Sequence, residues 1–177
     1  MKRMVLTILF TFALCLVATA QQDKSKRPSP PAQAQCKFSD GTTITMDYSS
    51  PRMKGRKIFG DLVPYGEVWR TGANDATTFV TTANLTAEGK DIPAGNYTIF
   101  TVPTQDKWTL IVNKHTGEWG IPYKYESEEL AREPMSVSKT SGPVENFTIN
   151  LNQTDGSCTL QMSWENTQAS IKLSEKK

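Results

Sequence analysis

The sequence predicts an all-β domain, and three observations carry that expectation. Several segments alternate apolar and polar residues with period two, as half-buried strands do. Two others are apolar on both faces. Turn residues divide the chain into short runs, leaving only ESEELARE suited to a helix.

In chain order, TTITMDY places Ile44, Met46 and Tyr48 on one face and Thr43, Thr45 and Asp47 on the other. Residues 51–74 follow as one long irregular loop, punctuated by Pro51, Gly55, Gly60, Pro64, Gly66 and Gly72. The stretch TTFVTTANLTAEGKDIPAGNY reads as short strands broken at Glu88-Gly89-Lys90 and Pro93-Ala94-Gly95-Asn96. NYTIFTV and WTLIVN then carry large side chains on both faces and are joined by the turn-like PTQDK, which suits a central hairpin covered on both sides.

ESEELARE is a mostly charged segment of about two helical turns, with Leu130 and Ala131 as its apolar patch. NFTINLN returns to alternation with Phe147, Ile149 and Leu151. A reversal at Asp155-Gly156 leads into SCTLQMSW, whose apolar face is Cys158, Leu160, Met162 and Trp164. Many short strands at turn-spaced intervals point to a two-sheet β-sandwich, with jelly-roll-like connectivity as the first arrangement to expect.

The N-terminus reads as a signal peptide over residues 1–20: Lys2 and Arg3 precede an apolar stretch from Val5 to Val17, and Ala18-Thr19-Ala20 supplies the small-x-small cleavage pattern. That stretch is shorter than a membrane span of roughly 20 residues, and no later segment approaches one. Leu14 stands where lipidation of Cys15 would need a small residue. The expected product is a free periplasmic or extracellular protein. Residues 21–34, QQDKSKRPSPPAQA, read as a Pro-rich disordered linker, residues 35–173 as the domain and 174–177 as a tail.

The whole chain has 20 basic and 18 acidic residues. Loss of Lys2 and Arg3 with the signal makes the mature chain neutral. The local basic cluster read from the sequence, Lys24-Ser25-Lys26-Arg27, falls in the linker, so nucleic acid is set aside as a partner.

His115, in the turn NKHTG, is the only histidine, which excludes a multi-histidine metal site within one chain and restricts any Ser-His-Asp triad to that residue. Its plain reading is a solvated turn residue. No nucleophile elbow, EF-hand loop, P-loop, dinucleotide fingerprint or Cys-x-x-Cys motif is present. No metal or cofactor is therefore expected. Asp47, Asp61, Glu67 and Asp75 keep a paired-acid hydrolase open as an alternative. Cys36 and Cys158 are the cysteines left after signal cleavage; in an oxidising compartment they are expected to be bridged, with two buried free thiols as the alternative.

The loop containing YGEVWRTGAND is the best candidate site. Arg56 and Arg70 are fork donors suited to a carboxylate or phosphate, and the same forks could instead close on Asp47, Asp61 or Asp75. Trp69 is either a stacking platform or, as preferred here, the hydrophobic peg that anchors the loop.

DYSSPRMKGRKIFGDLVPYGEVWRTGANDATTFV, then EGKDIPAGNYTIFTVP, WTLIVNK, EWG, PVENFTINL and LQMSWENT together resemble the bacterial family catalogued as domain of unknown function 2911, from about Asp47 to Leu173. The resemblance implies a secreted or periplasmic domain with no established substrate. The family's recognisable polar positions fall on Asp47, Tyr48, Ser49, Pro51, Gly55, Arg56, Trp69, Arg70, Gly72 and Asn74. IPYKYESEELAREPMSV agrees less well. Because the resemblance points to a bacterium, no glycan is assigned to the Asn-x-Thr matches at Asn84, Asn96, Asn146 and Asn152.

The leading expectation is a non-catalytic module binding a small polar or anionic ligand, a saccharide or cell-envelope fragment, through Asp47, Tyr48, Arg56, Trp69, Arg70 and Asn74. The alternatives are a hydrolase using Asp47 with another acid, and a structural envelope protein with a protein partner, for which the Pro-rich linker is the supporting feature.

Overall fold

The computed structural model describes residues 26–176. The expected signal peptide therefore lies outside the described residues, as do Lys24 and Ser25. Nine strands form one antiparallel sheet: β1 (Pro31–Lys37), β2 (Thr43–Ser49), β3 (Thr77–Thr81), β4 (Leu85–Ala87), β5 (Lys90–Ile92), β6 (Gly95–Pro103), β7 (Lys107–Asn113), β8 (Glu129–Thr154) and β9 (Ser157–Glu175). Their order across the sheet is β1-β2-β3-β6-β7-β8-β9-β4-β5. The all-β expectation holds, but hydrogen bonding runs through a single sheet rather than two.

Two long strands let that sheet enclose a core. β8 pairs with β7 along Glu129–Ser136 and with β9 from Ser136 onward, its register shifting between Lys139 and Val144 and again before Thr148. Such irregularities bend strands and strengthen their twist. Beyond them, β8 meets the chain leaving β2: Phe147 N–H donates to Pro51 O at 2.9 Å and Met53 N–H to Glu145 O at 2.7 Å. The Cys36–Cys158 disulfide joins β1 to β9, with Cα atoms 6.4 Å apart. Opposite parts of the sheet are thus tied across its interior.

The interior is built from the alternating faces. Ile44, Met46 and Tyr48, then Phe147 and Ile149, then Cys158, Leu160, Met162 and Trp164 are all buried in one cluster, while Leu151 is only partly covered. β6 and β7 occupy the middle of the sheet as their two-sided pattern requires. Ile99, Trp108, Leu110 and Val112 face the main core. Phe100 and Ile111 form a second small cluster with Ala76, under Val68, Tyr123 and Tyr125. The PTQDK link closes tightly, Thr104 N–H donating to Lys107 O at 3.0 Å.

Three boundaries differ from the sequence reading. Pro31–Ala34, expected in the disordered linker, form the first half of β1 and pair with Ser49–Met46. Ladder hydrogen bonds and burial of Ala34 and Cys36 offset the ordering entropy there. ESEELARE is not a helix: a 3₁₀ turn covers Glu126–Glu128, and β8 begins at Glu129. Pairing with β7 and inward placement of Ala131 and Met135 override the local helix preference. The expected tail is also shorter, since Ser174 and Glu175 belong to β9 and pair with Thr86 and Leu85.

Candidate functional site

The loop after β2 is shaped by its first seven residues, PRMKGRK, which carry Arg52, Lys54, Arg56 and Lys57 and no acid. Lys54 and Gly55 take left-handed φ values of 49° and 68°. Glycine accepts that region freely, and the reversal brings the flanking arginines together. Arg56 donates through Nη2 to Arg52 O at 2.6 Å and through Nε to Met53 O at 3.0 Å. Arg52 donates through Nη1 to Ser50 Oγ at 2.8 Å and Ser50 O at 3.1 Å. Ser50 is itself fixed, donating to Phe147 O at 2.7 Å.

Both guanidinium groups are thus held by neutral acceptors. Among the described residues, no carboxylate forms an ion pair with Arg52, Lys54 or Arg56; the pairs present lie elsewhere. Arg52, Lys54 and Arg56 line an open depression of about 330 Å³ with Pro28 and Ser29. Ser29 and Arg56 also line a second depression of about 270 Å³, walled by Leu62, Val63, Arg70 and Ile121, to which Trp69 and Trp164 contribute. No acidic residue lines either one.

Trp69 is the peg of this loop. It is 7% exposed, its Nε1–H donates to Gly72 O at 3.1 Å, and its backbone exchanges hydrogen bonds with Thr101 at 2.8 and 2.9 Å. Its ring packs against Phe59, Trp108, Phe147 and Trp164. The next turn is strained: Thr71, buried and β-branched, has φ 57°, a conformation such residues rarely adopt. Its Oγ1 lies 3.1 Å from Thr101 Oγ1, and its carbonyl accepts from Thr77 Oγ1 at 2.7 Å. Gly72 follows because a Cβ there would sit 3.0 Å from Ser49 O.

Arg70 lines the groove and is half-buried. Its guanidinium lies 4.5 Å from the Trp119 ring centroid, and Nη1 donates to Trp119 O at 3.4 Å. Burial pushes its pKa below the ordinary guanidinium value, against the opposing pull of Asp75. Asp75 pairs with Arg27 at 3.9 Å instead, and neither Arg56 nor Arg70 closes on Asp47, Asp61 or Asp75 as an ion pair.

The other expected site residues are dispersed. Asn74, at φ 58°, donates through Nδ2 to Ser29 O at 3.1 Å and ties the N-terminal segment to the loop. Tyr48 points into the core, where its hydroxyl oxygen accepts the Ile149 N–H at 3.1 Å and its ring meets Phe147 edge-on. Asp47 lies on the outer face of β2, accepting from Gln33 Nε2 at 2.7 Å. With Tyr48, Arg27, Asp75, Ser49 and Thr78 it lines a separate depression of about 190 Å³.

His115 is not simply solvated: its Nδ1 lies 3.1 Å from Glu128 Oε1 and its ring stacks on Tyr125. Nearby, Tyr123 accepts from Asn113 Nδ2 at 3.0 Å and donates to Glu129 Oε1 at 2.8 Å, while Arg132 forks onto Glu129 at 2.7 and 3.0 Å. Burial, then the bond to Glu129, raises the Tyr123 pKa well above the ordinary phenol value. This cluster is internally satisfied and braces the loop before β8. Among the described residues, no three His, Cys, Asp or Glu side chains gather to hold a metal ion.

Sequence reasoning missed Arg52, Lys54, Ser29, Leu62, Trp119 and Ile121. The charge run in PRMKGRK was visible as a second basic cluster besides residues 24–27. Ser29 was hidden in the expected linker, and the apolar residues sit in loops without periodicity.

Fold and site define, among the described residues, an all-β domain with one antiparallel sheet tied across its core and a groove lined by basic and apolar side chains on the loop after its second strand. The chain belongs to the family described as "Protein of unknown function (DUF2911)", which matches residues 29–173. That match takes in β1 and Ser29, upstream of the Asp47 at which the resemblance was read. No curated protein and no solved structure matches the chain significantly. Among the described residues, no helix is long and apolar enough to cross a membrane.

Proposed function

We propose that this chain is a non-catalytic binding module for a small anionic ligand, such as an acidic saccharide or a phosphate-bearing envelope fragment. One observation carries this reading: the Arg52, Lys54 and Arg56 side chains converge on one depression without an ion pair, the nearby Glu145 carboxylate being held by the Lys54 backbone N–H, and backbone or hydroxyl oxygens fix both arginines. Donors positioned in advance lose less freedom on binding, and guanidinium forks match carboxylate and phosphate geometry. The Cys36–Cys158 bridge supports an exported location, because disulfides persist in oxidising compartments.

Calorimetric titration with galacturonate and with inorganic phosphate, at low and moderate salt, tests the reading. Binding that weakens with salt and is lost in Arg52→Ala/Arg56→Ala supports it. Absence of binding to any anion, with the protein folded, would overturn it. The hydrolase alternative retains one supporting observation, that Asp47 and Asp75 line the same depression. It requires turnover that Asp47→Asn abolishes without loss of stability.

A further inference from the structure

We propose that the ligand is an anionic amphiphile, bound one molecule at a time, with its charged head on Arg52, Lys54 and Arg56 and its apolar body in the neighbouring groove. The inference rests on the anion-binding reading above and names the ligand class for the same site.

Three observations lead there. The two depressions share Ser29 and Arg56, so a ligand held at the cations is placed beside the groove. The groove offers Leu62, Val63 and Ile121 as well as the cationic Arg70. Leu62 and Ile121 are 45% and 48% exposed, two of the four large hydrophobic side chains exposed among the described residues; Tyr65, another of the four, does not line the groove. A third exposed residue, Trp119, lies beneath Arg70. Single exposed apolar side chains need no explanation, but their concentration around one concavity marks a binding surface.

Charge narrows the occupant. With no acid among the lining residues, the site complements an anion along its length. A wholly polar saccharide would leave Leu62 and Ile121 facing water, and a neutral lipid would leave the cations unpaired. Together the depressions reach the range of small-molecule sites, on the order of 300–1,000 Å³.

The test compares inorganic phosphate, octyl phosphate below its micelle concentration and octyl glucoside, by calorimetry on the wild-type chain. Octyl phosphate is expected to bind at least about tenfold tighter than inorganic phosphate, the gain from burying roughly two methylene groups. It should also exceed octyl glucoside by at least as much. Leu62→Ser/Ile121→Ser should bring octyl phosphate down to the inorganic phosphate level while leaving inorganic phosphate unchanged. Arg56→Ala should weaken both phosphates.

Equal affinity for the two phosphates would overturn this inference and leave the anion-binding reading standing. Binding of neither would overturn both. Binding to anionic phospholipid vesicles with none to monomeric octyl phosphate would assign the surface to a membrane and also overturn the inference.

Discussion

Trp69 lies nearly parallel to Trp164, with ring centroids 6.0 Å apart and planes 18° apart, so the long loop is stacked directly on the last strand. Phe147 and Phe59 close the cluster at 4.9 and 6.3 Å from Trp69. The loop that carries the cations is therefore an extension of the core. Trp69→Ala should lower stability by about 3–5 kcal/mol, the cost of truncating a large buried aromatic, and Trp69→Phe should cost less. Urea denaturation with the slope unchanged provides the measurement; a loss below about 1 kcal/mol would show that the ring does not anchor the loop.

Arg70→Ala should behave in the opposite way. The side chain makes a cation–π contact with Trp119 and no ion pair, so stability should change by about 0.5–1 kcal/mol. Loss of a buried charge pair would instead cost roughly 3–5 kcal/mol. Binding of octyl phosphate should weaken while the melting transition moves little. A large destabilisation with unaltered binding would make Arg70 a structural residue.

How much of this was legible can be traced residue by residue. Ile44, Met46, Phe147 and Leu160 announce their strands because each is large and flanked by polar neighbours that face outward. Ala32 and Ala34 alternate too, but small side chains among prolines give little apolar signal, and β1 is specified by its ladder to β2. Glu129–Arg132 have helical composition, and only the register against Asn113–Ile111 makes them a strand. In the site, Arg56 and Arg70 stood out by residue type. Their convergence with Arg52 depends on the left-handed turn at Lys54-Gly55, and the wall from Leu62 and Ile121 joins loops far apart in sequence.

The bridge between Cys36 and Cys158 spans 122 residues, and loop-closure entropy assigns such a cross-link up to about 4–5 kcal/mol. Cys36→Ser/Cys158→Ser should therefore unfold at markedly lower urea concentration. Both positions are buried, so Cys36→Ala/Cys158→Ala separates the lost cross-link from the burial of new hydroxyls. Alanine replacement with unchanged stability would show that strand pairing alone holds β1 in place.

Glu129 makes the fold sensitive to acid. Burial on its own would raise the carboxyl pKa, but the Arg132 fork and the Tyr123 hydroxyl outweigh it and hold the group below its ordinary value of 4.5. A folded-state pKa lower than the unfolded one means that, through this range, the unfolded chain binds more protons at Glu129. The contribution is complete above about pH 4.5 and is lost as the pH falls through the folded-state value. Glu129→Gln removes it at every pH. The stability difference between wild type and Glu129→Gln, measured by urea denaturation, should accordingly be largest near pH 6 and shrink toward pH 3. Arg132→Ala should shrink it in the same way, and the two substitutions combined should cost less than their sum, because each removes the same fork. A difference that stays constant from pH 6 to pH 3 would mean that the carboxylate is not what braces Tyr123 and Arg132 at the start of β8.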